Sequence, residues 1–480
     1  MEYKRPGGDI TTLLDLADRD VEDNDLFPLH TNLTFFTRDS TRRTVPFVPV
    51  VQDFNFRGPA NYGQRFSFDI GSLPCGDIIF GAMIQVNLSH WLDLTTQLNI
   101  ATGKYAYTDP TTAFFFANSL GSSLIQKAEL ELEGVTVETI DGDFIYVHST
   151  LNSDLNYQFG IANDAFGVVN IPDLLNWNTR RNFPTEDGTI FCILPFFFMR
   201  NKYREGLPMV SLKEGSARIH VTFKNFDELV RQRRGYRDTC TSTPLNTSIS
   251  FNGGAITKTV TSVIPDFKQV KLITYGAYLD GMERNRMLRD PFEHLIREVQ
   301  TFSFDEPLKY VVSKSTNDSI TVQLPLEANH PLEEIIWFIR RKETSNNNEW
   351  INFSSVLERE YNATFNPPLP LLKKGIIQVN GQTICDAPEQ YYRQLISNYH
   401  KGGIVPYRRF IYGYPFARHP SEVHQPSGSL NASRVQNLRL TLEIKQPISA
   451  YDTSWEVKVY CIGLNWLRFE NGIANKLFSD

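Results

Sequence analysis

The run Gln425-Pro-Ser-Gly-Ser-Leu-Asn-Ala-Ser-Arg434, continued by Val-Gln-Asn-Leu-Arg-Leu-Thr-Leu442, decides the fold. Pro, Ser, Gly and Asn gather where a chain turns sharply and hydrogen-bonds its own backbone. Leu438, Leu440 and Leu442 then alternate with Arg439, Thr441 and Glu443, the period-two pattern of a strand with one buried face. This is a shaped turn feeding a sheet. No side chain in it stands in an activated chemical setting.

The pattern recurs upstream. Gln64–Ile70, Ala82–Leu88, Ala128–Leu132, Val135–Ile140 and Ala217–Phe223 all read as strands. Leu73-Pro-Cys-Gly76 reads as a turn, and Glu133-Gly134 as a hairpin with glycine at the tight position. Helices are few and short; the spacing predicts them over Phe144–Leu151 and Pro291–Val299. Many short strands punctuated by Gly, Pro and Asn imply sandwiches rather than an α/β sheet.

The second half repeats the first. Leu372–Gly381 mirrors Ile125–Gly134 as a strand ending in a polar-glycine turn. A second strand and an aromatic helical stretch follow in each case, Phe144–Tyr146 in one and Tyr391-Tyr392 in the other. Likewise Leu194–Arg200 precedes the strand Ala217–Phe223, as Phe410–Arg418 precedes Leu438–Leu442. Gly134 and Gly381 stand 247 residues apart, about half the chain, which is the mark of a duplicated unit. The expected division is an arm over 1–30, a first sandwich over 31–255 and a second over 256–480. Each sandwich should have its own core. The Thr/Ser/Gly-rich stretch between Cys240 and Lys268 serves as the joint.

Composition narrows the function. At 480 residues, two domains are the natural expectation. Apolar residues at 41% and charged residues at 21% suit a folded soluble chain. The 34 Phe and 20 Tyr favour strands and large buried contacts. A net charge of −6 argues against direct wrapping of nucleic acid, which wants a basic excess. Cys75, Cys192, Cys240, Cys385 and Cys461 are dispersed without a Cys-x-x-Cys pair, as expected of reduced thiols. The polar, acidic start does not read as a secretory signal. The longest apolar run, Ile190–Met199, holds ten residues and a proline, short of the ~20 a membrane helix needs.

Chemistry-bearing clusters read as structural. Arg231, Arg233, Arg234 and Arg237 form a basic patch of a solvated or interface kind. His419 and His424, with Glu422 between, lack a third ligand for a metal. His330, before Pro331, reads as a loop-anchoring hydrogen-bonder. Asp141 and Asp143 flank Gly142 and read as turn or cap residues. Lys342–Glu349 and Asp238–Pro244 read as solvent-facing polar loops. Nucleophile-elbow, phosphate-loop, zinc-helix and dinucleotide motifs are missing from the sequence. No catalytic, cofactor or metal residue is therefore expected. Seven Asn-x-Ser/Thr sequons occur, of which the loop positions Asn317 and Asn352 are the candidate glycosylation sites. In the first segment Ile10, Leu13 and Leu14 recur at helical spacing ahead of an acidic stretch, Asp15–Asp25.

Several blocks resemble one family. Gly8 with Ile10, Asn32–Arg38, Gly76-Asp77-Ile78-Ile79 with Met83–Val86, Asn118–Ile125, Glu131–Gly134 and Gly142-Asp143 come in its order. So do Leu194–Phe198, Leu207-Pro208, Asn329-His-Pro-Leu-Glu-Glu-Ile-Ile-Trp337, Gln425–Leu442 and Asn465–Gly472. Together they resemble the major capsid proteins of nucleocytoplasmic large DNA viruses. Ala432 stands where that family usually has Phe, and Phe469-Glu470 where it often has a Met/Ser-Gly run. The resemblance implies an all-β fold of two tandem antiparallel eight-stranded jelly rolls, a double jelly roll, with short helices in the connecting loops.

It further implies homotrimers that act as pseudo-hexagonal capsomers of an icosahedral virion capsid. Their partners are neighbouring capsomers, minor capsid proteins and an inner membrane, with no direct nucleic acid and with assembly in the host cytoplasm. Arg231, Arg233, Arg234 and Arg237 become candidate inter-subunit contacts, because guanidinium–carboxylate pairs tolerate desolvation. Ile10, Leu13 and Leu14 become candidate contacts at the base of the shell. Two other readings stay open on the residues alone: a carbohydrate-binding or cupin-like jelly roll, and a minor capsid protein.

Overall fold

The computed structural model describes residues 46–89, 112–152, 188–200, 206–213, 217–234, 241–244, 249–253, 256–260, 267–306, 319–357, 367–400, 410–420, 426–445 and 454–478. Two sets of strands carry the architecture. The first is β1 (Phe47–Asn55), β2 (Arg65–Ile70), β3 (Ile78–Leu88), β4 (Ile125–Leu132), β5 (Val135–Asp141), β6 (Gly188–Ile193), β7 (Ala217–Phe223) and β8 (Gln269–Leu279). The second is β9 (Phe292–Glu306), β10 (Ser319–Leu326), β11 (Pro331–Arg341), β12 (Leu372–Val379), β13 (Gln382–Pro388), β14 (Ile411–Pro415), β15 (Leu438–Lys445) and β16 (Trp455–Glu470). Among the described residues, three helices of nine or more residues join them: α1 (Gly142–Asn152), α2 (Gly281–Arg289) and α3 (Glu389–Tyr399).

Hydrogen bonding sorts the first set into sheets β1-β8-β3-β6 and β2-β7-β4-β5. The second set forms β9-β16-β11-β14 and β10-β15-β12-β13. Adding eight to every strand number turns one pair of sheets into the other. This is the jelly-roll order, written twice. The alternation that identified the strands is seen directly: in β2, Phe66, Phe68 and Ile70 are buried while Arg65, Ser67 and Asp69 are exposed. In β15, Leu438, Leu440 and Leu442 all point inward.

The duplication extends to backbone detail. Glu133-Gly134 and Asn380-Gly381 each place two residues at positive φ, 51° and 80° in one and 50° and 81° in the other. That is the mirror-type two-residue turn that matches strand twist. One step in from each turn the ladder slips by a residue, leaving Val137 and Ile384 as equivalent bulges.

Three expectations need correction. Pro291–Val299 is not a helix. Phe292, Leu295, Ile296 and Val299 have helical spacing, but Phe292–Glu306 pairs residue for residue with Glu470's neighbours from Phe469 back to Trp455, and that long ladder wins. The helix lies just before, in α2, where Asp280 Oδ2 accepts from Met282 N at 3.4 Å and Arg286 and Arg289 sit near the carboxyl end. The joint also falls later than 255/256. Strand β8 pairs with β3 from Gln269–Asn87 to Ala277–Ile78, so the changeover between sheet sets is α2. Finally, the buried apolar residues of both rolls form one contiguous cluster, not two, because the rolls abut along a buried seam.

Candidate functional site at the seam between the rolls

The seam begins where β5 runs into α1. Asp141 Oδ1 accepts from Phe144 N at 2.7 Å and starts the helix, as a cap residue should. Gly142 permits the junction, since a Cβ there would lie 2.3 Å from the Ser122 carbonyl oxygen and 2.4 Å from that of Ile125. The end of β5 and the first turn of α1 thus present Asp141, Asp143 and Phe144 to the second roll.

Arg340 on β11 receives them. Its guanidinium donates to Asp143 Oδ1 and Oδ2 at 2.9 and 3.0 Å, a two-pronged pair. Its remaining donors reach Glu456 Oε2, at 2.7 and 3.1 Å, and the Trp350 carbonyl, at 2.9 Å. Lys458 on β16 donates to Asp141 Oδ2 at 2.9 Å and also to Asp143, and the Tyr460 hydroxyl donates to Asp141 Oδ1 at 2.9 Å. The Phe144 and Tyr460 rings meet edge to face at 5.2 Å. Burial alone would raise the Asp143 carboxyl, but Arg340 and Lys458 outweigh it and hold the group well below the usual carboxylate range. The Lys458 ammonium is pushed up in turn: Asp143 and Asp141 overcome its desolvation.

Two further clusters flank this one. His400 Nε2 lies 2.9 Å from Glu334 Oε2, and its Nδ1 lies 3.2 Å from Asn152 Oδ1 at the end of α1. Burial lowers His400 less than Glu334 raises it. His148, on α1, is pushed down to about 3 by burial, with Arg200 and His400 adding to the effect. On the other flank, Trp350 Nε1 donates to the Glu228 carbonyl at 2.8 Å and Asn348 Nδ2 to the Asp227 carbonyl at 2.6 Å. Lys224 Nζ sits 3.3 Å from the Trp350 ring centre, a cation–π contact. Burial pushes this ammonium down to about 8, with Asp143 countering in part.

The expectation of a solvent-facing loop over Lys342–Glu349 is therefore overturned for its inner half. Thr344, Asn347, Asn348 and Glu349 are buried, because their polarity is spent on the first roll's backbone and on the loop's own turns. Asp141 and Asp143 do shape a turn, but they also anchor one roll to the other. Sequence reasoning did not single out Arg340, Lys458, Glu456, Lys224 or Trp350. The available signal was Arg340-Arg341 directly after the apolar run Ile335–Ile339, since buried arginines need carboxylate partners. The arrangement positions and orients two domains. Buried ion pairs add little net stability, yet they penalise any other docking geometry by leaving charges unpaired.

The other predicted residues fall as follows. Arg231, Arg233 and Arg234 lie on a strand, Val230–Arg234, paired with Thr112–Phe116 and Thr241–Pro244, outside the four roll sheets. Arg237 lies outside the described residues, as do Asn317, Ile10, Leu13, Leu14, Glu422 and His424. Asn352 is described: its Nδ2 donates to Glu349 Oε2 at 2.7 Å and to the Val356 carbonyl at 2.9 Å. An N-linked sugar there would displace one of these bonds. His330, at φ 65°, donates its N–H to Ser433 Oγ at 2.9 Å, and its carbonyl accepts from Ala432 N at 3.0 Å. It pins the Ser/Asn turn of the opening run to the start of β11. The His419 N–H donates to Ser427 Oγ at 2.8 Å in the same turn. Among the described residues no group of three His, Cys, Asp or Glu is placed to hold a metal ion.

Two like jelly rolls locked by a buried seam define the class of double jelly-roll proteins. Residues 34–263 match the family described as "Major capsid protein N-terminus", and residues 283–475 the family "Large eukaryotic DNA virus major capsid protein". The major capsid protein of Phaeocystis pouchetii virus is 22% identical over 93% of this chain and 95% of its own length. Capsid protein 1 of Acanthamoeba polyphaga mimivirus is 22% identical over 64% of this chain, which spans 44% of that larger protein. Among solved structures, VP54 of Paramecium bursaria Chlorella virus 1 aligns with a TM-score of 0.68 at 18% identity, covering 93% of this chain and 100% of that one. The chain belongs to the major capsid protein family of large eukaryotic DNA viruses. It is a structural component of the icosahedral virion shell and not an enzyme.

Proposed function

We propose that three copies of this chain close into a capsomer whose six rolls imitate sixfold symmetry, so that a threefold particle fills a hexagonal lattice position. The observation that carries this reading is the identical strand order of the two rolls, down to matching turns and bulges. A heterologous contact that closes after three copies yields a discrete ring and not a fibre. Permanent interfaces of this kind bury on the order of 2,000–5,000 Å². Light scattering on the purified chain tests it: about 165 kDa, three times the 55.0 kDa chain, is expected, and a stable monomer would refute it.

The remaining parts follow from that reading. The arm carrying Ile10, Leu13 and Leu14 meets minor capsid proteins or the inner membrane at the shell base, which its apolar helical spacing suits. The strand carrying Arg231, Arg233 and Arg234, with Arg237 beyond it, contacts a neighbouring subunit, which its place outside the roll sheets favours. Assembly in the reducing host cytoplasm accords with Cys75, Cys192, Cys385 and Cys461 as free thiols.

A further inference from the structure

Within one chain, the α1 side of the first roll covers the outer face of sheet β9-β16-β11-β14. The same two surfaces exist a second time. Residues of β4, β5 and α1 map onto β12, β13 and α3 at a constant spacing of 247, which makes Val137 equivalent to Ile384 and Phe144 to Tyr391. Val137 and Phe144 are 3% and 1% exposed in the seam, whereas Ile384 and Tyr391 are 46% and 45% exposed. On the receiving side, the bulges in β3 and β11 set the register. Tyr460 then corresponds to Ile273, Lys458 to Lys271, Phe338 to Gln85 and Arg340 to Asn87. Next to Ile273 on this face, Tyr275 stands 38% exposed.

We propose that Ile384 and Tyr391 of one copy dock on the β8–β3 face of a second copy, around Ile273, Tyr275, Gln85 and Asn87, in the geometry that α1 uses inside the chain. This deepens the trimer reading and rests on it. The internal seam is the template: a surface already used once in the chain recurs with Ile384, Tyr391 and Tyr275 exposed, Gln85 and Asn87 half-buried and Ile273 only 8% exposed beneath them, and a second copy is its natural occupant. The chemistry of the two contacts differs. Where the seam has Asp141 and Asp143, the outer contact has Pro388 and Gln390, and Asn87 replaces Arg340. Lys271 is already engaged by Asp53 Oδ2 at 2.7 Å on its own subunit. The contact within the chain is ionic, and the contact between chains is carried by Tyr391, Ile384 and neutral amides. Association through it is therefore insensitive to salt.

The test is light scattering on the full chain and on the Ile384→Glu/Tyr391→Glu variant, in 0.1 and 1 M salt. Support is a wild type near three chain masses at both salts and a variant at the 55.0 kDa chain mass. A variant that remains trimeric overturns the docking map while leaving the trimer standing. A wild type that is monomeric overturns the trimer itself, and one that dissociates in high salt overturns the neutral contact. Should the variant aggregate, a benzoylphenylalanine photo-crosslinker in place of Tyr391 decides. Inter-chain products within residues 83–87 or 269–275 support the map, and products elsewhere refute it.

Discussion

Replacing Arg340 with methionine isolates what the seam contributes. The change ends five hydrogen bonds, two to Asp143, two to Glu456 and one to the Trp350 carbonyl, at similar side-chain bulk. Removing one partner of a buried pair costs about 3–5 kcal/mol, because the charge left behind stays desolvated. Lys458 still neutralises Asp141 and Asp143, which places the expected loss near the lower bound, about 3 kcal/mol. Unfolding entropy of roughly 2.1 cal/mol/K per residue gives about 1 kcal/mol/K for a chain of this length, so the melting temperature should fall by about 3 °C. Arg468→Met is the control. Its partner Glu470 is 3.0 Å away, but both side chains are about half exposed, and such pairs contribute roughly 0–1 kcal/mol. Differential scanning calorimetry reads both. Adding Asp143→Asn to the Arg340 variant should cost less than the two single losses combined, since the groups share one network. An Arg340 variant that melts within 1 °C of the Arg468 control would refute the seam as a coupling element.

Acid should loosen the seam through His148. Its unfolded form takes up a proton as pH falls through 6.5, while the folded form stays neutral down to about 3, so stability is lost across that window. Asp143, held low, adds to the loss only below about pH 4, whereas the raised His400 contributes fully in acid and loses its contribution as pH rises. Urea melts at pH 7, 5 and 4 should show a shallower acid decline for His148→Gln; an unchanged slope would count against it. Gly381→Ala and Gly134→Ala should each cost about 1 kcal/mol, and equally, because both sites have positive φ and open space for a Cβ. Unequal losses in urea melts would argue against equivalent turns. Gly142→Ala, with two carbonyls within 2.4 Å of the new Cβ, should cost about 3 kcal/mol or block folding, as read by soluble yield and circular dichroism. A melting temperature matching wild type would show that the junction can relax.

Local signals carried the duplicated halves. The glycines at 134 and 381, the alternating leucines of β15 and the aromatic start of each helix all lie within ten residues of what they determine. His330 was legible as a loop-anchoring hydrogen-bonder, but its partner Ser433, 103 positions later, was not. What failed was long-range. Asp141 and Asp143 look like turn residues until Lys458 arrives more than 300 positions later. Lys342–Glu349 looks solvated because polar side chains bound to backbone carbonyls read like polar side chains in water. Phe292–Val299 looks helical because Phe292, Leu295, Ile296 and Val299 follow helical spacing, and only the ladder with β16 overrides it. The late joint escaped for the same reason, since β8 declares its sheet only by pairing with β3.

Cryo-electron microscopy of the assembled capsomer puts the central claim at greatest risk. The contact from second roll to next subunit should superpose on the contact from first roll to second, each related by about a sixth of a turn. Tyr391 should cover Ile273 of the neighbour as Phe144 covers Tyr460 within the chain. A ring in which Tyr391 faces solvent, or in which the two contacts cannot be superposed, would contradict it.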